Sequence, residues 1–182
     1  REPGGTPIGE EIRHTLQHSA RNQAMTPEAE LLLINASRAQ LVREVIRPAL
    51  AQGHVVICDR FYHSTLAYQG YGRQLDLAQV RAVIDFAVGP TRPELTLLLR
   101  VPLGVSEARR HHRTRTAAAG RDRMEEADRD FFARVERGYD TLAAQEPERI
   151  RVIPATGDIN EVANAVWTWV EPRLAPWISP SA

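Results

Sequence analysis

The chain has 182 residues, 43% of them hydrophobic and 25% charged. That is long enough for one domain with a sizeable core and too apolar for a disordered composition. Its 23 basic residues, all arginine, balance 23 acidic ones, so neither bulk attraction to nucleic acid nor an anionic-membrane partner is expected.

No apolar run approaches the roughly 18 residues that a membrane span requires. REPGGTPIGEE, residues 1–11, lacks the layout of a secretory signal, and Cys58 has no second cysteine to pair with. A cytoplasmic protein is the expectation.

Taken in order, residues 7–18 are predicted as a short helix, followed by a polar connection from Ser19 to Met25. Thr26 reads as an N-cap with Pro27 at the first helical position, opening a long helix to about Leu50. Gly53 closes the connection to VVIC, 55–58, predicted as a short buried strand. Helices are expected at about Ser64–Gly70 and Leu75–Val88. LTLLLRV, 95–101, is nearly continuous in apolar character, as suits a strand covered on both faces. Helices follow at about 104–114 and 126–144, then the strand IRVI, 150–153. Asp158 can cap a last helix from Ile159 to about Arg173, with PWISPSA as an irregular tail. Strands alternating with helices predict an α/β fold with a parallel sheet and right-handed crossovers.

In such a sheet, ligands bind beyond the carboxyl ends of the strands. VVIC delivers Asp59 and Arg60 to that edge. An Asp there can hold Mg²⁺, and an Arg can clamp a phosphate. Taken alone, such a pair can equally be a surface ion pair capping a strand. Arg38, four residues after Ile34 on the long helix, sits in the apolar-flanked INASRAQ and would be costly to bury without an anion. Its alternative is to extend to solvent along the helix. Gly4 and Gly5 in REPGGTP permit a close backbone approach.

Five stretches, in this order, carry a resemblance: REPGGTPIGE (1–10), LLLINASRAQLVREVIRPAL (31–50), VVICDRFYHSTLAYQGYGR (55–73), RPELTLLLRV (92–101) and DRMEEADRDFFARV (122–135). Together they resemble bacterial thymidylate kinase. The resemblance implies a single domain over 1–182 with the P-loop nucleoside monophosphate kinase fold, a parallel sheet flanked by helices. It also implies transfer of the γ-phosphoryl group of ATP to dTMP with Mg²⁺, and a homodimer joined by helices.

By the same similarity, Asp59 would organise Mg²⁺ and the acceptor phosphate, while Arg60 and Arg38 would bind the dTMP phosphate. Arg73 is a further candidate there. Ser64, Thr65 and Gln69 would hydrogen-bond near base or sugar, and Tyr68 would lie against the deoxyribose and crowd a 2′-hydroxyl. Arg1 and Pro3 would line the nucleoside pocket. Ile34 stands where the family stacks a Phe on thymine, so it preserves burial but not aromatic stacking.

RRHHRTRTAAAGRDR, 109–123, with six Arg and one Asp, corresponds to the family's LID over the ATP phosphates. Arg113, Arg115, Arg121 and Arg123 are its candidates for approaching the transferred phosphoryl group. No aromatic residue interleaves with these arginines, so nucleic acid is not an expected partner.

The match also departs from the family. Ahead of REPGG the family has a strand, a G-x-x-x-x-G-K-[ST] phosphate loop, a helix and a second strand, on the order of 30–40 residues. The 182 residues contain neither that motif nor any Lys. The expectation is therefore that the complete protein is a kinase, whereas these residues alone are impaired. The sheet would be thin because its central strand lies in the absent segment. Arg100 and Pro154 stand where the family commonly has Asp. The rival readings are a non-catalytic nucleotide-binding relic that keeps the monophosphate pocket, and a kinase for another nucleoside or nucleotide.

Overall fold

The computed structural model describes residues 1–19, 21–116 and 128–178, with side chains described except at 110–116 and 176–178. Helix α1 spans Pro7–Gln17 and starts where the Thr6 hydroxyl accepts from the Gly9 amide. Helix α2 spans Pro27–Leu41, capped by Thr26, with Pro27 in its first turn. It continues without a break through a π-helical stretch, Val42–Ile46, into α3, Arg47–Ala51, much as the sequence pattern predicts. A short α4, Tyr62–Thr65, runs into a second π-helical stretch, Leu66–Gly72. Asp76 caps α5, Leu77–Val88, and Gly89 ends it at φ 56°.

Strand β1, Thr96–Arg100, is followed by α6, Leu103–Thr116, and α7, Arg129–Gln145, the latter capped by Asp128. Strand β2, Ile150–Pro154, pairs in parallel with β1, Thr96 opposite Ile150 and Arg100 opposite Pro154. Helix α8, Ile159–Ile178, runs past Arg173, so the first residues of the tail expected to be irregular are helical.

Two expectations about the sheet are corrected. Residues 55–58 form no strand, and among the described residues the sheet has two strands. A strand exists through its ladder, and no described strand pairs with this stretch. The segment is not fully buried either. Val56 and Cys58 pack on the core, whereas Val55 is 54% and Ile57 92% exposed. The β1 run is also not covered on both faces, since Leu99 is exposed, as is Val152 on β2.

The core lies between the long helix, α5, the second π-helical stretch and α7. Leu31, Leu41, Val42, Leu66, Val80, Ile84, Phe131, Val135 and Leu142 are among its buried members. The second π-helical stretch meets α7 closely because Gly72 has no side chain. A Cβ there would sit 2.6 Å from the Phe131 ring and 2.9 Å from Val135. That contact fixes the segment carrying Tyr68 and Gln69, and so positions the site.

Candidate active site

Three parts of the chain meet around Arg38. The first is the start of the chain. Gly4, at φ 121°, donates its amide to Ser37 Oγ at 3.0 Å, tying REPGG to α2. Gly5 donates to Glu10 Oε1, and this amide, with Arg1 beside it, holds the Glu10 carboxyl below its ordinary range. Arg1 is exposed and paired with Glu10 at 2.9 Å. Pro3 follows a cis peptide bond, and its carbonyl accepts from Arg13.

The second part is α2. Arg38 is only 1% exposed. Its Nε donates to both Glu2 carboxylate oxygens, at 3.0 and 2.8 Å, and Nη2 lies 2.8 Å from Oε2. Nη1 donates to Asn35 Oδ1 at 2.8 Å. The anion that a buried Arg38 demands is therefore present within the chain as Glu2. Burial pushes the Glu2 carboxyl up, and the adjacent guanidinium opposes that shift. Ile34, one turn before Arg38, is buried.

The third part is the turn after 55–58. The Glu2 amide donates to the Asp59 carbonyl at 3.0 Å. Asp59 and Arg60 are both exposed, and Arg60 adopts φ 64°, unusual for a residue with a side chain. The Arg60 guanidinium lies 5.1 Å from the centre of the Tyr68 ring, which favours the charged form. Tyr68 in turn meets the edges of Phe131 and Tyr139. Tyr139 OH and Ser64 Oγ are 2.9 Å apart, and burial pushes that phenol up to about 12.

Of the other expected residues, Gln69 is buried and donates to Glu30 Oε1 at 2.7 Å. Arg73 pairs with Glu30 Oε2 at 3.0 Å and lies over Phe131. Thr65 Oγ1 is buried with no hydrogen-bond partner among the described residues. Arg100 pairs with Glu136 and Asp140. Arg113 and Arg115 belong to α6, but their side chains are outside the described part, and Arg121 and Arg123 lie outside the described residues altogether.

Sequence reasoning passed over Glu2, Glu30 and Tyr139. A signal existed for two of them. Glu30 sits in an apolar-flanked stretch, as Arg38 does, and a buried charge of either sign needs its counter-ion. Glu2 adjoins the glycines that carry the first segment onto α2.

The crystal structure of thymidylate kinase from Ehrlichia chaffeensis matches this fold with a TM-score of 0.71 and 30% identity, covering 94% of this chain and 78% of that one. The fold is thus that of the P-loop nucleoside monophosphate kinases. A family model described as Thymidylate kinase matches residues 1–166. A thymidylate kinase from Synechococcus sp. (strain JA-2-3B'a(2-13)) is 49% identical over 174 residues, 96% of this chain and 79% of that protein. Another from Syntrophotalea carbinolica is 48% identical over 168 residues, 92% and 77% of the two chains. The chain belongs to the thymidylate kinase family.

Proposed function

We infer that the protein transfers the γ-phosphoryl group of ATP to dTMP, giving dTDP and ADP. The observation that carries the reading at the site is the Asp59–Arg60 turn. It presents a carboxylate and a guanidinium at the surface, with Arg60 held against Tyr68. Family membership supports the overall reaction and favours a kinase over a non-catalytic relic.

In this reading Arg60 and Arg38 bind the acceptor phosphate. Two anionic phosphates repel as they approach, and fixed cations offset that repulsion without reorganising during the reaction. Asp59 would hold Mg²⁺, since an exposed carboxylate together with substrate phosphates is the donor set magnesium favours. The ion, when bound, would neutralise charge on the phosphates. Tyr68 would face the deoxyribose. Thr65, whose hydroxyl has no hydrogen-bond partner among the described residues, and Ser64 would hydrogen-bond near the base or sugar, and Ile34 would supply an apolar contact for the base. Arg1 and Pro3 line the same pocket. Gln69 would hydrogen-bond near the base or sugar and Arg73 would lie near the acceptor phosphate, both also held by Glu30. The stretch at about 109–123 acts as the LID over ATP, with Arg113, Arg115, Arg121 and Arg123 as its cations, within one domain over 1–182.

We also assign the enzyme to the cytoplasm and to a homodimer. The lone, half-buried Cys58 suits a reducing compartment. No described helix is long and apolar enough to cross a membrane.

The test is a coupled ADP-release assay on the full-length protein with ATP and dTMP, with and without Mg²⁺. Turnover that needs both dTMP and Mg²⁺ is the expected result. Turnover with another nucleotide but not dTMP would overturn the substrate assignment.

A further inference from the structure

We propose that Glu2 is a positioning residue for the acceptor site, holding Arg38 with its carboxylate and the Asp59–Arg60 turn with its amide. The inference rests on the acceptor-site reading given above. Glu2 is 5% exposed, and each of its polar ends is committed. The carboxylate meets Arg38 side-on through Nε and Nη2, at 2.8–3.0 Å. The amide donates to the Asp59 carbonyl at 3.0 Å. One residue therefore ties α2 to the turn that carries both exposed charged groups.

The geometry leaves Arg38 with chemistry to spare. A guanidinium has five N–H groups. Glu2 takes the N–H on Nε, Asn35 takes one on Nη1, and Nη2 faces Glu2 Oε2 at 2.8 Å as an ion pair. One N–H on each Nη thus remains for a ligand oxygen. Glu2 and Asn35 fix the plane in which those two N–H groups lie. A forked carboxylate contact restricts a guanidinium far more than a single bond does.

The turn gains in a different way. Arg60 occupies the left-handed region, which a residue with a side chain adopts only when its surroundings impose it. The Glu2 amide grips the carbonyl immediately before it. With the Glu2 carboxylate anchored, that grip is rigid. Once the carboxylate is released, the segment 1–3 and the turn can shift together.

A purely structural ion pair would stabilise the fold without touching substrate kinetics, so the test separates the two roles. In the full-length protein, Glu2→Gln, Arg38→Gln and the double variant are compared by steady-state kinetics, below the melting temperature of each. Glu2→Gln is expected to raise KM for dTMP by about tenfold or more, the scale of a lost charge-assisted contact. KM for ATP should stay within about twofold. Adding Glu2→Gln to Arg38→Gln should add little, because the carboxylate acts on dTMP through that guanidinium. If Glu2→Gln does not fold, Glu2→Asp, which keeps the charge but shortens the reach, is expected to show the same pattern. A lowered melting temperature with unchanged KM for dTMP in Glu2→Gln, while Arg38→Gln raises it, would overturn the positioning role alone. Unchanged KM for dTMP in Arg38→Gln and Arg60→Ala alike would overturn the acceptor-site reading beneath it.

Discussion

Arg60 is exposed, while Arg38 is enclosed and already paired with Glu2. The two arginines are therefore not equivalent, although the resemblance assigns both to the dTMP phosphate. Arg60 keeps its charge available, and the Tyr68 ring 5.1 Å away limits the directions it can take. Replacing it should remove a charge-assisted contact worth roughly 1.5–3 kcal/mol. Arg60→Ala is thus expected to weaken dTMP binding by about one to two orders of magnitude in calorimetry on the full-length protein. Tyr68 is held by Phe131 and Tyr139, so its ring is a rigid wall rather than a mobile cover. Tyr68→Ala should relax the preference for dTMP over ribothymidine monophosphate, measured as the ratio of their kcat/KM values. An unchanged ratio would remove Tyr68 as the discriminator.

At the scale of elements, the site depends on how α4 and the π-helical stretch Leu66–Gly72 sit against α7. Gly72 permits that approach, and the buried Phe131 ring has little room to give way. Gly72→Ala is expected to cost about 1–3 kcal/mol of stability by overpacking, read as a lower denaturant midpoint. His63, on α4, is wedged against the end of α7. Its Nε2 is 3.5 Å from Glu146, and its Nδ1 is 3.4 Å from the Thr96 hydroxyl on β1. Desolvation lowers its pKa to about 4 against an ordinary 6.5, even though Glu146 pulls the other way and Arg149 and Arg92 add to the fall. The imidazole is therefore neutral in the fold at pH 7. The unfolded chain binds a proton more readily, so this stability is present above pH 6.5 and is lost as pH falls toward 4. The loss is on the order of 3 kcal/mol at most. Denaturant midpoints measured from pH 7 to 4 should fall, and His63→Gln should flatten the decline.

For the whole molecule, the distribution of exposed apolar groups bears on assembly. The packed helices α2 and α5 carry Leu32 at 58% exposure and Phe86 at 83%. Arg43, in the π-helical stretch that continues α2, donates to the carbonyls of Ala87 and Phe86, holding the two helices in register. Large apolar side chains left on packed, rigid helices suit a contact with a second copy. For the homodimer proposed above, Phe86→Asp combined with Leu32→Asp in the full-length protein should shift sedimentation to that of a monomer. An unshifted dimer would place the interface elsewhere.

Much of this was legible in the residues because its causes are local. Thr26-Pro27, Asp76 and Asp128 announce helix starts, since a cap needs only its own first turn. The apolar runs at 95–101 and 150–153 announced two parallel strands, and the ordered stretches from REPGG to DRDFF pointed to the family. The same reading made 55–58 a buried strand, because apolar character cannot reveal whether a partner strand lies alongside. It recognised that a buried Arg38 needs an anion, but not that the chain itself supplies one, Glu2, from 36 residues away. Nor could it show that Glu30, 39 and 43 residues before Gln69 and Arg73, pairs with both. Sequence by itself determined the helices and the two paired strands, because periodicity and caps are properties of neighbouring residues, and its ordered motifs carried the resemblance to the family. Only the tertiary structure decided which charges are already neutralised and which remain at the surface, because counter-ions are chosen by proximity in space.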